Sequence, residues 1–144
     1  MATYHRATAG TTLVGRLAHD GDLLGELTAV AREQDLRLGA VSAIGAVRQA
    51  RLGFYDQAKR VYDYFVLDRP LEITALVGNV SLKDGAPVIH AHVTLSDETG
   101  RAYGGHLAEG CVVFACEFTM TALASDATFA RGLDEPTGLP LWSL

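Results

Sequence analysis

The sequence of 144 residues contains only two cysteines and four prolines. Cys111 and Cys116 lie five positions apart in a segment whose composition predicts a strand, so we expect them about 16 Å apart on opposite faces of it. That separation excludes a disulfide between them. Since no other cysteine is present to pair with either, the sequence favours a reducing compartment.

The chain also lacks a run of about 18 uncharged apolar residues that would span a membrane. Its first residues, Met1–Arg6, do not have the apolar segment of a signal peptide. We therefore expect a cytoplasmic protein with no membrane partner.

Basic residues are few. Lys and Arg number 12 against 17 Asp and Glu, which gives a net charge of −5. This balance argues against a protein whose whole surface binds nucleic acid, although it leaves a local basic patch open.

Length and composition predict a single domain over residues 1–144. Apolar residues make up 49% of the chain and charged residues 20%, which are ordinary values for a globular protein. Glycine is the informative excess, with 15 residues, and predicts many tight turns. We expect such turns at Gly78, Gly85, Gly100 and Gly104-Gly105.

The spacing of apolar residues predicts one long helix over residues 22–34, preceded by the capping segment Asp20-Gly21-Asp22. The rest of the chain reads as strands and turns, with strands expected at Thr11–Leu17, Leu38–Gly45, Arg48–Tyr55, Arg60–Leu67, Leu71–Val80, Val88–Leu95, Ala102–Leu107 and Cys111–Leu123. The predicted class is therefore α+β, with one main helix on a mostly antiparallel sheet of about seven strands. A single helix cannot cover both faces of such a sheet, so the remaining apolar surface must be closed by curling into a barrel or by another subunit.

Three of the five histidines lie close together in the sequence, at His90, His92 and His106. Strand alternation places His90 and His92 side by side on one face, roughly 6.5–7 Å apart at the backbone. A turn at Asp97–Gly100 would fold the next strand back and bring His106 towards them. Three imidazoles with an open fourth position favour zinc or a similar divalent ion, whereas hydrogen-bonded histidines on a polar sheet face are the alternative. His5 and His19 are expected to be exposed.

Glu117 is a second unusual residue, because it interrupts the apolar strand predicted over Cys111–Leu123. An unpaired carboxylate would be costly in a buried strand. It is therefore a candidate for an arginine partner, for a bond to a metal-bound histidine, or for acid/base catalysis. A buried ion pair or a contact between subunits is the structural alternative.

The predicted hairpin over residues 48–67 combines basic and aromatic side chains. Such a pattern is compatible with contact to nucleic acid, and equally with a solvated face or a subunit interface. The sequence contains no helix-turn-helix, no phosphate-binding glycine loop and no nucleophile elbow. The basic residues concerned are Arg48, Arg51, Lys59 and Arg60.

Over roughly Thr11 to Leu139, the chain resembles the plant and prokaryote conserved domain, which follows AT-hooks in plant nuclear proteins and stands alone in bacteria and archaea. The residues that carry this resemblance are Gly45-Ala46-Val47, Tyr55-Asp56, Leu71-Glu72-Ile73, Leu76-Val77-Gly78-Asn79-Val80-Ser81, Asp84-Gly85-Ala86-Pro87, His90-Ala91-His92-Val93-Thr94-Leu95, Gly100, Gly104-Gly105-His106-Leu107, Glu117 and Thr137-Gly138.

The resemblance implies a homotrimer, a core of about 11–139, and a zinc or similar metal site at His90, His92 and His106. It also implies a role in DNA binding or regulation. The chain itself has no Arg-Gly-Arg-Pro core of an AT-hook, and it has Asp68-Arg69-Pro70-Leu71-Glu72-Ile73 where plant members carry a partner-binding Gly-Arg-Phe-Glu-Ile-Leu segment.

The sequence leaves three hypotheses open. The first is a trimeric, metal-binding protein with a regulatory or DNA-associated role. The second is a small metal-dependent enzyme or ligand-binding protein that uses the three histidines, with Glu117 as its acid/base residue and an unknown small molecule as its ligand. The third is an oligomeric scaffold without a ligand.

Overall fold

One helix and nine strands make up the chain, which a computed structural model describes over residues 1–144. Seven strands form one antiparallel sheet in the order β1-β7-β2-β4-β5-β6, with β3 beside β2, and β8 and β9 form a separate hairpin. The predicted α+β class, with a sheet of seven strands and one helix, is confirmed. The elements are β1 Thr8–Arg16, α1 Leu23–Glu33, β2 Gly39–Asp56, β3 Val61–Leu67, β4 Leu71–Lys83, β5 Ala86–Ser96, β6 Ala102–Leu107, β7 Val112–Ala124, β8 Arg131–Asp134 and β9 Leu139–Trp142.

Helix α1 begins after Asp22, as its capping sequence predicts. One carboxylate oxygen of Asp22 accepts a hydrogen bond from the Gly25 amide at 2.8 Å, and the other accepts from the Gly110 amide at 2.6 Å. A single side chain therefore caps the helix and ties it to the segment that precedes β7. Leu23, Leu27 and Ala31 form the buried stripe that faces the core.

Strand β2 is longer than the sequence suggests, because the two strands predicted at Leu38–Gly45 and Arg48–Tyr55 are one continuous strand of 18 residues. Gly45 marks a shift in register where β2 bends, with a backbone φ of 148°. The first half of β2 pairs with β4 and β7, while its second half pairs with β3 and β6. Strands β2, β4, β5 and β6 thus close on themselves, which is the barrel-like closure expected for part of the sheet.

The two cysteines are free, as predicted, but they do not lie on opposite faces of a strand. Val47 pairs with Val113 and Ala46 with Ala115, so Phe114 is an extra residue that shifts the alternation. Cys111 and Cys116 consequently both belong to the main core. Burial raises the pKa of each thiol to about 11, so both stay protonated at neutral pH.

The glycines expected in turns lie in two different structural contexts. Gly85 and Gly100 lie in turns with φ of +80°, as expected. Gly104, Gly105 and Gly78 lie inside strands instead, so the turns predicted there are wrong. At Gly78, a Cβ atom would lie 2.5 Å from the His90 carbonyl oxygen and 2.6 Å from the Ala91 Cβ. This glycine therefore permits the close approach of β4 to β5.

One face of the sheet carries large apolar side chains that the chain itself leaves exposed. Val14, Ile44, Val77 and Phe114 have exposed fractions of 77%, 59%, 68% and 56%. The hydrophobic core lies on the opposite face, beneath α1. No helix in the structure is long and apolar enough to cross a membrane.

We predict that Gly78→Ala lowers the free energy of unfolding by about 1–3 kcal/mol, because the added methyl group overlaps the backbone of β5. Urea denaturation followed by circular dichroism measures the change. Gly10→Ala is the matched control, since its Cβ would meet its nearest neighbour at 3.5 Å, an ordinary contact. Equal stability of the two variants would contradict the role assigned to Gly78.

Candidate metal centre

Three histidine side chains converge where β5 and β6 pair. His92 lies opposite His106 in the register, and His90 projects from the same face of β5 two residues earlier. One ring nitrogen from each residue can be chosen so that the three lie within 4.8 Å of one another. The ring centroids are 5.3 Å apart for His90 and His92, 5.0 Å for His90 and His106, and 5.5 Å for His92 and His106. The side chains therefore form a compact triangle.

The turn between β5 and β6 fixes this register. Asp97 accepts hydrogen bonds from the amides of Thr99 and Arg101, at 2.9 and 3.0 Å. Its second oxygen accepts from the Tyr103 hydroxyl at 3.1 Å and lies 3.5 Å from the Arg69 guanidinium. One carboxylate thus holds both sides of the turn that brings His106 beside His92.

The environment of the cluster keeps two of its imidazoles neutral. Burial, with smaller contributions from Arg131 and the other two histidines, lowers the pKa of His90 to about 4. Burial also lowers the pKa of His106, assisted by His92 and Arg131. Neutral imidazoles offer the lone pairs that a metal ion requires.

One atom of the cluster needs a partner that the chain does not provide. The Nδ1 atom of His106 is buried and has no hydrogen-bond partner. Buried polar atoms are normally satisfied, so an orphan of this kind calls for a ligand. Three imidazoles fit zinc or a similar divalent ion, and leave a fourth position of a tetrahedral site free.

Three residues beside the cluster were not assigned to the metal site from the sequence, although Tyr62 was among the aromatic residues of the predicted hairpin. The Tyr62 ring lies 4.7 Å from the His106 ring, across the side-chain-free position Gly53. Asn79 pairs with His90 in the β4–β5 register, and its side-chain oxygen accepts a 2.7 Å hydrogen bond from Arg131. Asn79 occurs in the segment that carries the family resemblance, and that position was the sequence feature that could have indicated it as a site residue. Arg131 is 52 positions from Asn79, and no local pattern indicates that contact.

Glu117 lies outside this cluster. Its side chain is exposed on the outer face of β7, opposite Ile44 and Arg16, so the buried ion pair is wrong within one chain, while the contact between subunits stays a prediction. Strands β2 and β4 separate β7 from β5, which corresponds to about 14 Å at 4.8 Å per strand. Within one chain, Glu117 therefore does not contact the three histidines. The exposed His5 and His19 agree with their prediction and also lie apart from the cluster.

The predicted β2–β3 hairpin forms, but its basic side chains are engaged within the chain. Arg48 pairs with Asp20, and Lys59 pairs with Asp56 at 3.1 Å. Arg51 lies over the Tyr64 ring, 4.0 Å from its centroid. Arg60 donates to the carbonyl groups of Glu135 and Pro136, each at 3.1 Å. The hairpin therefore presents no cluster of unengaged cations.

Comparison with known proteins identifies related folds. A family model described as the Plants and Prokaryotes Conserved (PCC) domain matches residues 4–124. A metal-containing protein from Archaeoglobus fulgidus is 40% identical, with a TM-score of 0.93, and the match covers 99% of this chain and 100% of that one. A plant- and prokaryote-conserved (PPC) protein from Pyrococcus horikoshii is 30% identical, with a TM-score of 0.92 and coverage of 99% and 98%.

Two further relatives have names that point to other roles. A protein from Ralstonia eutropha JMP134, provisionally named DNA-binding, is 28% identical, with a TM-score of 0.81 and coverage of 91% and 90%. The bifunctional protein GlmU of Synechococcus sp. (strain JA-3-3Ab) is 39% identical over 124 residues. That match covers 85% of this chain but 19% of GlmU, so the chain spans about a fifth of that relative's length.

We predict that Asp97→Asn destabilises the protein at neutral pH and that the difference from the wild type disappears in acid. Hydrogen bonds, first from the Thr99 side chain, lower the pKa of Asp97 to about 2. The carboxylate thus stabilises the fold above its unfolded-state pKa of about 3.9, and this stabilisation is lost as the pH falls towards 2. Urea denaturation of both proteins between pH 7 and pH 2 measures the difference.

Glu98→Gln is the control, because Glu98 is exposed in the same turn. A destabilisation by Asp97→Asn that stays constant down to pH 2 would contradict an ionised Asp97 as the group that closes the turn.

Proposed function

Because the chain belongs to the Plants and Prokaryotes Conserved domain family, whose model covers residues 4–124, we propose that it is a metal-binding member that holds zinc through His90, His92 and His106. The observation that carries the proposal is the convergence of three ring nitrogens within 4.8 Å, next to the unpartnered Nδ1 atom of His106. The 40% identical relative from Archaeoglobus fulgidus, which is named metal-containing, supports it.

A set of three histidine ligands favours a functional role for the metal ion over a purely structural one. Structural zinc sites usually have four protein ligands, whereas three protein ligands leave a position for water or substrate. A bound zinc ion supplies Lewis acidity and lowers the pKa of its water ligand. A cavity of about 420 Å³ borders His90, so a small molecule bound in it would lie beside one of the three histidines. We therefore favour a small metal-dependent enzyme or a ligand-binding protein.

Assembly into a homotrimer is part of the proposal. The exposed apolar side chains Val14, Ile44 and Val77 lie on one face of the sheet, where burial against identical copies would remove them from water. Glu117 borders a groove of about 730 Å³ on this face. Any role for Glu117 at a metal site is thus proposed across the interface, at the histidines of a neighbouring copy.

DNA binding is the weaker proposal for this chain. The family resemblance implies it, and the name of the Ralstonia eutropha protein assigns it to that protein provisionally. In this chain, the net charge is −5 and the basic side chains of the β2–β3 hairpin are engaged with its own residues. A DNA-binding surface normally needs several free cations to contact phosphates.

The two free cysteines fit the cytoplasmic location proposed from the sequence.

We predict that the protein, purified without a nickel column and reloaded after chelation, binds about one zinc ion per chain. His92→Ala and His106→Ala should each weaken zinc binding by more than about 10-fold, since even outer-shell changes at metal sites cost about 10–100-fold. Elemental analysis and zinc-dependent thermal shift measure both effects. His19→Ala is the control, because His19 is exposed and outside the cluster. Failure of the wild type to retain zinc would refute the proposal.

We predict that the purified protein has three times the chain mass of 15.3 kDa in light scattering at micromolar concentration. Ile44→Asp and Val14→Asp should shift it to the monomer mass, because each places a charge on the proposed contact face. Leu133→Asp is the matched control, since Leu133 is 75% exposed but lies on β8, outside the seven-stranded sheet. A monomeric wild type would exclude the proposed assembly.

A further inference from the structure

Arg131 is a half-buried cation that no carboxylate neutralises. Its guanidinium donates to the Asn79 side-chain oxygen at 2.7 Å and to the Pro140 carbonyl at 3.0 Å. Its Nε atom is buried and has no hydrogen-bond partner. The ion pairs of the structure involve other residues, so the charge of Arg131 stays uncompensated in a partly desolvated position. An uncompensated charge in such a position costs free energy unless an anion neutralises it.

The guanidinium borders the same cavity as His90 of the histidine cluster. The cavity, of about 420 Å³, is lined by Arg131, His90 and Asn79 together with the apolar side chains Leu141 and Trp142 of β9. No Asp or Glu side chain lines it. A divalent ion on neutral imidazoles would add two further positive charges beside Arg131. The site as a whole therefore selects for a negatively charged ligand.

Arg131 is more than a structural tether between the C-terminal hairpin and the sheet. Arg60 performs such tethering on the other side of the hairpin, where it donates to the Glu135 and Pro136 carbonyls from an exposed position. Tethering of this type needs donors only, and a neutral side chain could supply them to Asn79 and Pro140. What Arg131 adds is a fixed positive charge beside the imidazoles.

We propose that this cavity binds a small organic carboxylate, with its carboxylate group on Arg131 and its short apolar substituent against Leu141 and Trp142. The planar guanidinium suits a carboxylate, with which it forms strong charge-assisted hydrogen bonds. The apolar side chains of Leu141 and Trp142 favour an organic acid over an inorganic anion, and the volume suits a small molecule. This inference rests on the proposed function, because the metal would hold a second oxygen of the same ligand.

Isothermal titration of the zinc-loaded protein with lactate and with lactamide tests the proposal, since lactamide has the same shape without the charge. Lactate should bind at least about 10-fold more tightly than lactamide. Arg131→Met should weaken lactate binding by about 10–100-fold, which corresponds to the loss of one or two charged hydrogen bonds. Its zinc affinity should change far less.

Arg60→Met is the matched control, since it removes the other arginine that binds carbonyl groups of the C-terminal segment and should leave lactate binding unchanged. Absorption spectra of the cobalt-loaded protein provide a second readout. The visible bands should shift when lactate binds to the wild type, and the same shift should need about 10–100-fold more lactate in Arg131→Met.

The outcomes separate the inference from the proposed function. If the wild type retains no metal, the proposed function fails, and with it the inference. If the wild type retains zinc but binds lactate no better than lactamide, the carboxylate site is wrong while the metal site stands. Unchanged lactate affinity in Arg131→Met would also overturn the inference. Tighter binding of inorganic phosphate than of lactate would overturn it as well, because Leu141 and Trp142 would then not favour an organic acid.

Discussion

The antiparallel pairing of β5 with β6 is the interaction on which the candidate site depends. His92 faces His106 only in this register, and a slip by one residue would turn His106 to the other face of the sheet. Asp97 fixes the register at the turn through its bonds to Thr99 and Arg101, and Gly78 permits β4 to lie close against β5. Backbone pairing, held in register by the Asp97 side chain, thus brings the three imidazoles together.

Local patterns predict much of this arrangement, and their failures have identifiable physical causes. Strand alternation correctly places His90 and His92 on one face, and the capping residue Asp22 correctly locates the start of α1. The extra residue Phe114 shifts the alternation of side chains between the two faces of β7, and Cys116 therefore lies on the same buried side as Cys111. No local pattern in the sequence indicates this shift. The apolar residues around Glu117 suggested a buried strand, but one face of the sheet is open within the chain. The contact between Arg131 and Asn79 depends on the path of the whole chain.

The cavity beside the candidate metal centre differs in charge from the chain as a whole. The chain is acidic overall, yet Arg131 and His90 line a cavity to which no Asp or Glu side chain contributes. The same distribution explains why a DNA-binding role has little support here, because the remaining arginines and lysines of the hairpin are engaged in pairs, carbonyl contacts or ring stacking. A local positive site in an acidic protein suits a small anion better than a polyanion, whose remaining phosphates would meet a repulsive surface.

The two parts of the site come from different parts of the chain. His90, His92 and His106 lie within residues 4–124, the segment that the family model matches, whereas Arg131, Leu141 and Trp142 lie beyond it. The C-terminal hairpin β8–β9 packs against β4 and brings these three side chains to the edge of the cluster. The candidate metal centre and the cavity wall beside it are therefore supplied by separate parts of the chain.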